Sequence, residues 1–305
     1  MNRRRFLCTT GTLATAALAA GCGEGGPPTV RLAAGEVGGF YHAFATQLAA
    51  TAADAGTVHI EPVTTSGSFA NLAMLDRGDA DAALALADSI EADPGTDRLF
   101  ALGRVYENYI QLVVRASSAL RTASDLRGHR VSLGAPGSGA TFTGERLLRA
   151  AGLDPDIDVR VTHLPLRGAV TTLTDGVIDA LLWAGGVPTP SFDIPRTLRL
   201  IDLGDLAQPM RDRFGYLYDR VVIPADAYPG TPAVRTIGVA NLLVTTRTLP
   251  DDAAAALTEL LITRADRLVP SEAAGTQFLD ARSLIGTDGV ALHPGAATVY
   301  RRHHG

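Results

Sequence analysis

The sequence predicts an α/β protein built as two lobes, each a mainly parallel sheet flanked by helices. Three observations predict it. Short apolar strands alternate with helical segments, which implies right-handed crossovers and parallel pairing. The unit Leu75-x-x-Gly78-x-x-Asp81-Ala82 returns as Leu173-x-x-Gly176-x-x-Asp179-Ala180, each time closing a helix and opening a strand. Loops rich in glycine and hydroxyls follow strands in both halves. They fall at the carboxyl edge, where open α/β sheets take their ligands.

The elements run in order. Thr29–Ala34 alternates like a strand and is followed by the loop Gly35-Glu36-Val37-Gly38-Gly39. A helix then places Phe44, Ala45, Leu48, Ala49 and Ala52 on one face. Val58–Val63 is the second strand, Thr64–Ser68 its polar loop, and a short helix runs from Phe69 to Gly78. Ala80–Leu86 is the third strand and ends at Asp88-Ser89. The pattern restarts with the strand Ile110–Arg115 and the turn Asp125-Leu126-Arg127-Gly128. Val131 and Leu133 mark a buried strand, and Gly134, Gly137 and Gly139 make a loop almost without side chains. The next helix carries Gly144, Leu147, Leu148 and Ala151 on one face and stops at Gly152. Strand Val159–Leu164, a helix to Gly176 and strand Ile178–Trp183 follow, ending in Gly185-Gly186-Val187-Pro188. Residues 187–232, rich in proline and charge, read as a surface excursion. Ile237–Thr245 is again a strand, and a helix begins at Leu249-Pro250-Asp251-Asp252 with acids near its positive dipole end. The C-terminal part is expected to pack back on the first lobe, so that two crossings make a hinge. Residues 1–28 then form a leader and tether, 29–110 with 240–305 the first lobe, and 111–239 the second, with boundaries good to about 15 residues.

The leader is read as an export signal. Asn2-Arg3-Arg4-Arg5-Phe6-Leu7 resembles a twin-arginine motif, and the apolar stretch Leu7–Ala20 is too short to span a membrane. Leu18-Ala19-Ala20-Gly21-Cys22 resembles a lipobox, which makes Cys22 the lipidation site and the residues after it a flexible tether. Of the two cysteines, Cys8 lies in the discarded leader, so the mature chain has no disulfide, thiolate metal site or cysteine nucleophile.

Composition narrows the class further. With 305 residues, 46% hydrophobic and 19% charged, the chain is an ordinary globular one of about two domains. A net charge of −5, with no basic run, argues against nucleic acid. There is no G-x-S-x-G elbow, no H-E-x-x-H and no Walker lysine, so no enzyme is expected. Gly134-x-x-Gly137-x-Gly139 lacks dinucleotide spacing, and no cofactor or metal is expected. The terminal His303-His304 pair alone among the seven histidines has ligand-like spacing, and it lies in a frayed tail.

What remains is recognition chemistry. Strand, glycine loop and helix N-terminus together offer orphan amides and the positive end of a helix dipole to an anion. Hydroxyls recur in these loops from both lobes, at Ser66, Ser68, Ser138, Thr141 and Thr143. Any one of them also suits a helix N-cap, whereas all of them together favour a ligand cleft. Arg167 suits a bidentate carboxylate pair or a plain surface position. Asp88 suits a ligand ammonium or an N-cap, and Tyr41 and Trp183 suit either the cleft wall or the core.

Several segments are similar to the TAXI-type solute receptors of TRAP transporters. They are Leu32–Tyr41, Thr65–Asn71, Leu112–Arg115, Asp125–Gly128, Gly137-Ser138-Gly139, Ile178–Ala180, Gly185–Pro188, Ile223–Gly230 and Leu292–Ala296, in order over nearly the whole chain. The resemblance implies a type II periplasmic-binding-protein fold with its ligand between the lobes. It also implies an extracytoplasmic receptor that hands a glutamate- or 2-oxoglutarate-like anionic or zwitterionic solute to an ion-driven TRAP membrane subunit; the chain is expected to be a monomer. The ligand contacts it implies are Gly38, Gly39, Tyr41, Ser66, Gly67, Ser68, Asn71, Ser138, Gly139, Thr141, Thr143, Gly185, Gly186 and Val187. Two positions depart from the pattern: Leu86-Ala87-Asp88 stands where Gln-Ser-Asp is expected, and Gly139-Ala140 where Gly-Thr is common. The alternative is an extracytoplasmic sensor partnering a membrane histidine kinase.

Overall fold

The computed structural model describes residues 26–270 and 279–304. The twin-arginine-like motif, the lipobox and Cys22 lie outside the described residues. β1 (Thr29–Ala33), α1 (Phe40–Ala55), β2 (His59–Val63), α2 (Ser68–Arg77) and β3 (Ala82–Leu86) form a βαβαβ unit. After the short α3 (Ala87–Glu91), the long β4 (Leu99–Arg115) leads into a second such unit. This is β5 (Arg130–Ser132), α4 (Gly139–Ala150), β6 (Arg160–Thr162), α5 (Leu166–Thr174) and β7 (Ala180–Gly185). β8 (Leu198–Ile201), α6 (Ala207–Phe214) and β9 (Asp219–Ile223) follow, then the long β10 (Val234–Thr246). The chain ends with α7 (Asp251–Thr263), α8 (Ala281–Leu284) and α9 (Pro294–His304).

One mixed sheet runs β2-β1-β3-β10-β4-β7-β5-β6, with β8 against β4 and β9 against β10. Each unit's own strands are parallel: β1 lies between β2 and β3, and β5 between β6 and β7. The long strands β4 and β10 pair antiparallel from Gly238–Tyr109 to Thr246–Leu99 and join the two units. The expected crossings near residues 110 and 240 fall inside these strands.

The two units share a local device that explains the sequence repeat. Asp81 accepts from both the backbone N–H and the guanidinium of Arg31, while Arg31 Nη2 donates to the Gly78 carbonyl. Asp179 does the same for Arg130, which donates to the Gly176 carbonyl. The Leu-x-x-Gly-x-x-Asp unit is therefore a clamp. Glycine turns the helix end at positive φ (+71° at Gly78, +76° at Gly176), and the aspartate fastens that turn to the first strand of its unit. The guanidinium beside each aspartate holds its carboxyl below the ordinary range.

Around β1 and the first half of β4 the core holds Leu32, Phe44, Leu48, Tyr106, Leu257, Leu261 and Tyr300, so α1, α7 and α9 cover one face. Leu72, Leu75 and Val244 fill the opposite face. The second unit is likewise packed on both sides, by Leu133, Leu147, Leu182 and Met210 on one and Leu173, Leu181, Phe192 and Leu198 on the other. Strands covered on both faces read as continuous apolar runs, as in Ala82–Leu86, where all five residues are buried.

One expectation is corrected. Residues 187–232 are not a surface excursion. They contribute β8, α6 and β9, and they bury Phe192, Ile194, Leu198, Ile201, Met210, Tyr218, Ile223 and Tyr228. The prolines and charges lie between these buried residues.

Candidate functional site

A recess of about 50 Å³ lies between the two units. It is lined from the first by Gly35, Glu36, Phe40 and Tyr41, by Ser66–Ser68, and by Leu86. Asn108 comes from β4, and Ser138–Ala140 with Trp183 and Ala184 come from the second. The βα-loop logic places these residues there, because the loops after β1, β2 and β5 all open at the carboxyl edge of their strands.

Three helices begin at this recess: α1 at Phe40, α2 at Ser68 and α4 at Gly139. Their N-caps are Gly39, Gly67 and Ser138, and none makes a side-chain capping bond. Ser138 thus takes the cap position without using its hydroxyl as a cap, and that hydroxyl pairs with Thr141 Oγ1 at 3.3 Å. Three helix dipoles pointing into one small volume favour negative charge there, each by roughly 0.3–1 kcal/mol and more when shielded from water. Among the described residues lining the recess there is no Arg, Lys or His, so this potential comes from backbone alone.

The units are closed on each other. Ala70 N–H donates to the Gly137 carbonyl at 3.1 Å, and Leu166 N–H, at the start of α5, donates to Glu36 Oε2 at 2.9 Å. The Phe69 and Phe142 rings meet edge to face, 5.5 Å between centroids. Glycine is required at these approaches. Gly67 has φ +128°, and a Cβ there would lie 3.2 Å from Ser138 Cα. At Gly139 it would lie 2.6 Å from both Leu86 Cδ1 and Ser68 Oγ.

The structure sorts the expected contacts into three groups. Gly39, Tyr41, Ser66, Gly67, Ser68, Ser138 and Gly139 line the recess, and Gly38 and Gly186 line a narrow extension beside Trp183. The Ser68 hydroxyl is engaged internally, accepting from Leu86 N–H and pairing with Tyr41 Oη, which in turn donates to Asn241 Oδ1. Burial pushes the Tyr41 phenol above its ordinary value and keeps it a donor.

A second group braces the site from behind. Asn71, fully buried, donates to the Ala34 and Leu84 carbonyls and accepts from Thr65 Oγ1, tying together the loops after β1 and β2. Thr143 Oγ1 donates to Asp88 Oδ2 at 2.6 Å, and Tyr218 Oη donates to the same oxygen at 3.0 Å. Asp88 is completely buried in this contact between units and does not line the recess; burial raises its carboxyl. Thr141 donates to the Ala135 carbonyl and shapes the loop before α4. The Gly186 carbonyl accepts from Gln111 and Thr189, and Val187 packs in the core behind Trp183. Gly185 ends β7 with a Cβ position blocked by the Trp183 indole.

The third group is Arg167 alone, exposed on α5 and apart from the recess. Sequence reasoning missed Glu36, Leu86 and Asn108 as lining residues. A carboxylate inside a glycine-rich βα loop is the signal that marks Glu36.

Two lobes of related topology, joined by two long strands and closed over a cleft at their carboxyl edges, define a periplasmic-binding-protein fold. The chain belongs to the NMT1-like family, whose model matches residues 32–303. Among solved structures it is similar to a Bordetella bronchiseptica RB50 protein, at 16% identity and TM-score 0.59, over 91% of this chain and 98% of that one. It is also similar to a Xanthomonas citri protein solved bound to ATP, at 14% identity and TM-score 0.52, over 90% and 98%. A further neighbour is the periplasmic aliphatic sulphonate binding protein SsuA from Escherichia coli, at 16% identity and TM-score 0.47, over 91% and 84%.

Proposed function

We propose that the protein is an extracytoplasmic solute receptor that closes on a small carboxylate-bearing molecule and delivers it to a TRAP-type, ion-driven membrane transporter. The observation that carries the reading is the convergence of three helix N-termini, none with a side-chain cap bond, on a recess closed between two lobes. Amides and hydroxyls of both lobes then share one guest, which binds the closed form better and shifts the population towards closure. Hinge closure of this kind is a recognised switching mode of periplasmic binding proteins. The TRAP partnership rests on the resemblance of the TAXI-like segments, and export with lipidation at Cys22 rests on the leader.

Ser138→Asp tests the reading, since it sets a carboxylate where the ligand's oxygens belong. Screening small carboxylic acids by calorimetry should give binders to the wild type that the variant no longer takes. Unchanged affinity in the variant would refute the assignment.

A further inference from the structure

The lining of the recess mixes donors and acceptors. The starts of α2 and α4, at Gly67–Ser68 and Ser138–Ala140, supply donors. Two side chains of the same lining are acceptors short of donors. Glu36 is half-buried in the wall, and among the described residues no cationic side chain pairs with it; its one bond is the Leu166 N–H to Oε2. Asn108 is 2% exposed, also lines the recess, and its Oδ1 is buried without a hydrogen-bond partner. A buried acceptor without a donor is costly, and a partly desolvated carboxylate without a cation is costly in the same way. A guest that brings N–H donors relieves both. A guest that brings a second carboxylate meets Glu36 as a like charge in the same recess.

We propose that Glu36 and Asn108 select a compact guest bearing one carboxylate and one amino group, and reject diacids. This rests on the receptor reading and narrows it. The carboxylate sits against the α2 and α4 N-termini, and the ammonium donates towards Glu36 and Asn108 Oδ1. Glu36 also fastens the lobes through Leu166, and the two roles can be separated. In Glu36→Gln the amide oxygen can still accept from Leu166 N–H, so the variant removes charge and retains the latch, whereas Glu36→Ala removes both.

The test titrates glycine, β-alanine and 4-aminobutyrate against propionate, succinate and 2-oxoglutarate, following the fluorescence of Trp183, the sole tryptophan, which lines the recess. The amino acids should bind the wild type about tenfold or more tightly than any of the three acids without an amine, the scale of one charge-assisted hydrogen bond. Glu36→Gln should lose that preference, and Asn108→Leu should weaken the amino acids while leaving propionate unchanged. Diacids binding as tightly as amino acids, or Glu36→Gln keeping the preference and only Glu36→Ala weakening every acid alike, would overturn the proposal and leave Glu36 a latch. If no acid of either kind binds, the carboxylate-receptor reading falls and takes this inference with it.

Discussion

Gly139→Ala separates lobe closure from lobe folding. Gly139 is the first residue of α4 and its φ is not in the left-handed region, so alanine meets no backbone strain there. Alanine is in fact the better helix former, by up to about 1 kcal/mol. In the closed form the new Cβ would stand 2.6 Å from Leu86 Cδ1, 2.6 Å from Ser68 Oγ and 2.9 Å from Ser89 Oγ, all from the opposite lobe. Leu86 could rotate its methyl away, but Ser68 Oγ is pinned by Leu86 N–H and by Tyr41. Forcing a methyl into such packing costs about 1–3 kcal/mol. Any guest that binds the closed form should therefore bind roughly 5- to 150-fold more weakly. Titration of Trp183 fluorescence should show this loss, while ligand-free thermal unfolding stays level or rises. A variant that binds as tightly as wild type would refute the argument that α4 meets the first lobe in the bound state.

Three further outcomes follow from buried polar groups. The Glu107 carboxyl is pushed up to about 7, chiefly by burial, with the Arg104 guanidinium pulling the other way. The folded chain then holds a proton that the unfolded chain releases above the ordinary value of 4.5, so stability falls as pH rises from 4.5 to 7 and levels off beyond. Denaturant titrations of Glu107→Gln should lack that fall, which is on the order of 3 kcal/mol, even if losing the Arg104 partner lowers the whole curve; an undiminished slope would assign it elsewhere. Asn71→Leu removes three hydrogen bonds, two of them buried, and takes a donor from the Ala34 and Leu84 carbonyls, so its unfolding midpoint in urea should report a loss of about 2–4 kcal/mol. Asp88→Ala takes the acceptor from the Thr143 and Tyr218 hydroxyls, leaving Tyr218 only the Arg146 Nη1 donor, and should lower the melting temperature. Asp88→Asn keeps an acceptor, and because burial raises Asp88 it should gain on wild type as pH climbs above the ordinary carboxylate range.

Both βαβαβ units were readable from period and punctuation: the apolar run of β3, the stripe on α1, and the glycine at each helix end. The Leu-x-x-Gly-x-x-Asp repeat was visible as a pattern, but its meaning required coordinates, because the partners Arg31 and Arg130 lie about fifty residues upstream (|i−j| of 50 and 49). The first half of β4 was invisible. Arg104, Glu107 and Asn108 interrupt its apolar run, although Glu107 and Asn108 are buried and Arg104 pairs with Glu107. The same physics hid the 187–232 core, where the buried side chains named above each have a charged residue or a proline beside them and no regular period develops. At the site, glycines and hydroxyls pointed to the right loops. Hydroxyl chemistry alone could not tell Ser138, facing the recess, from Thr143, which faces Asp88 behind it.

β4 and β10 belong to both lobes at once, and their pairing is irregular at Asn241–Leu242 and Leu243–Val244. Neither half of the molecule therefore owns a complete sheet. A fragment cut at the hinge would end in a bare strand edge, prone to pair with another chain. Any movement between the lobes must therefore flex this paired ribbon instead of swinging on a slack linker. The stiffness of that ribbon, and not the length of a linker, would then set how far the two rims can part.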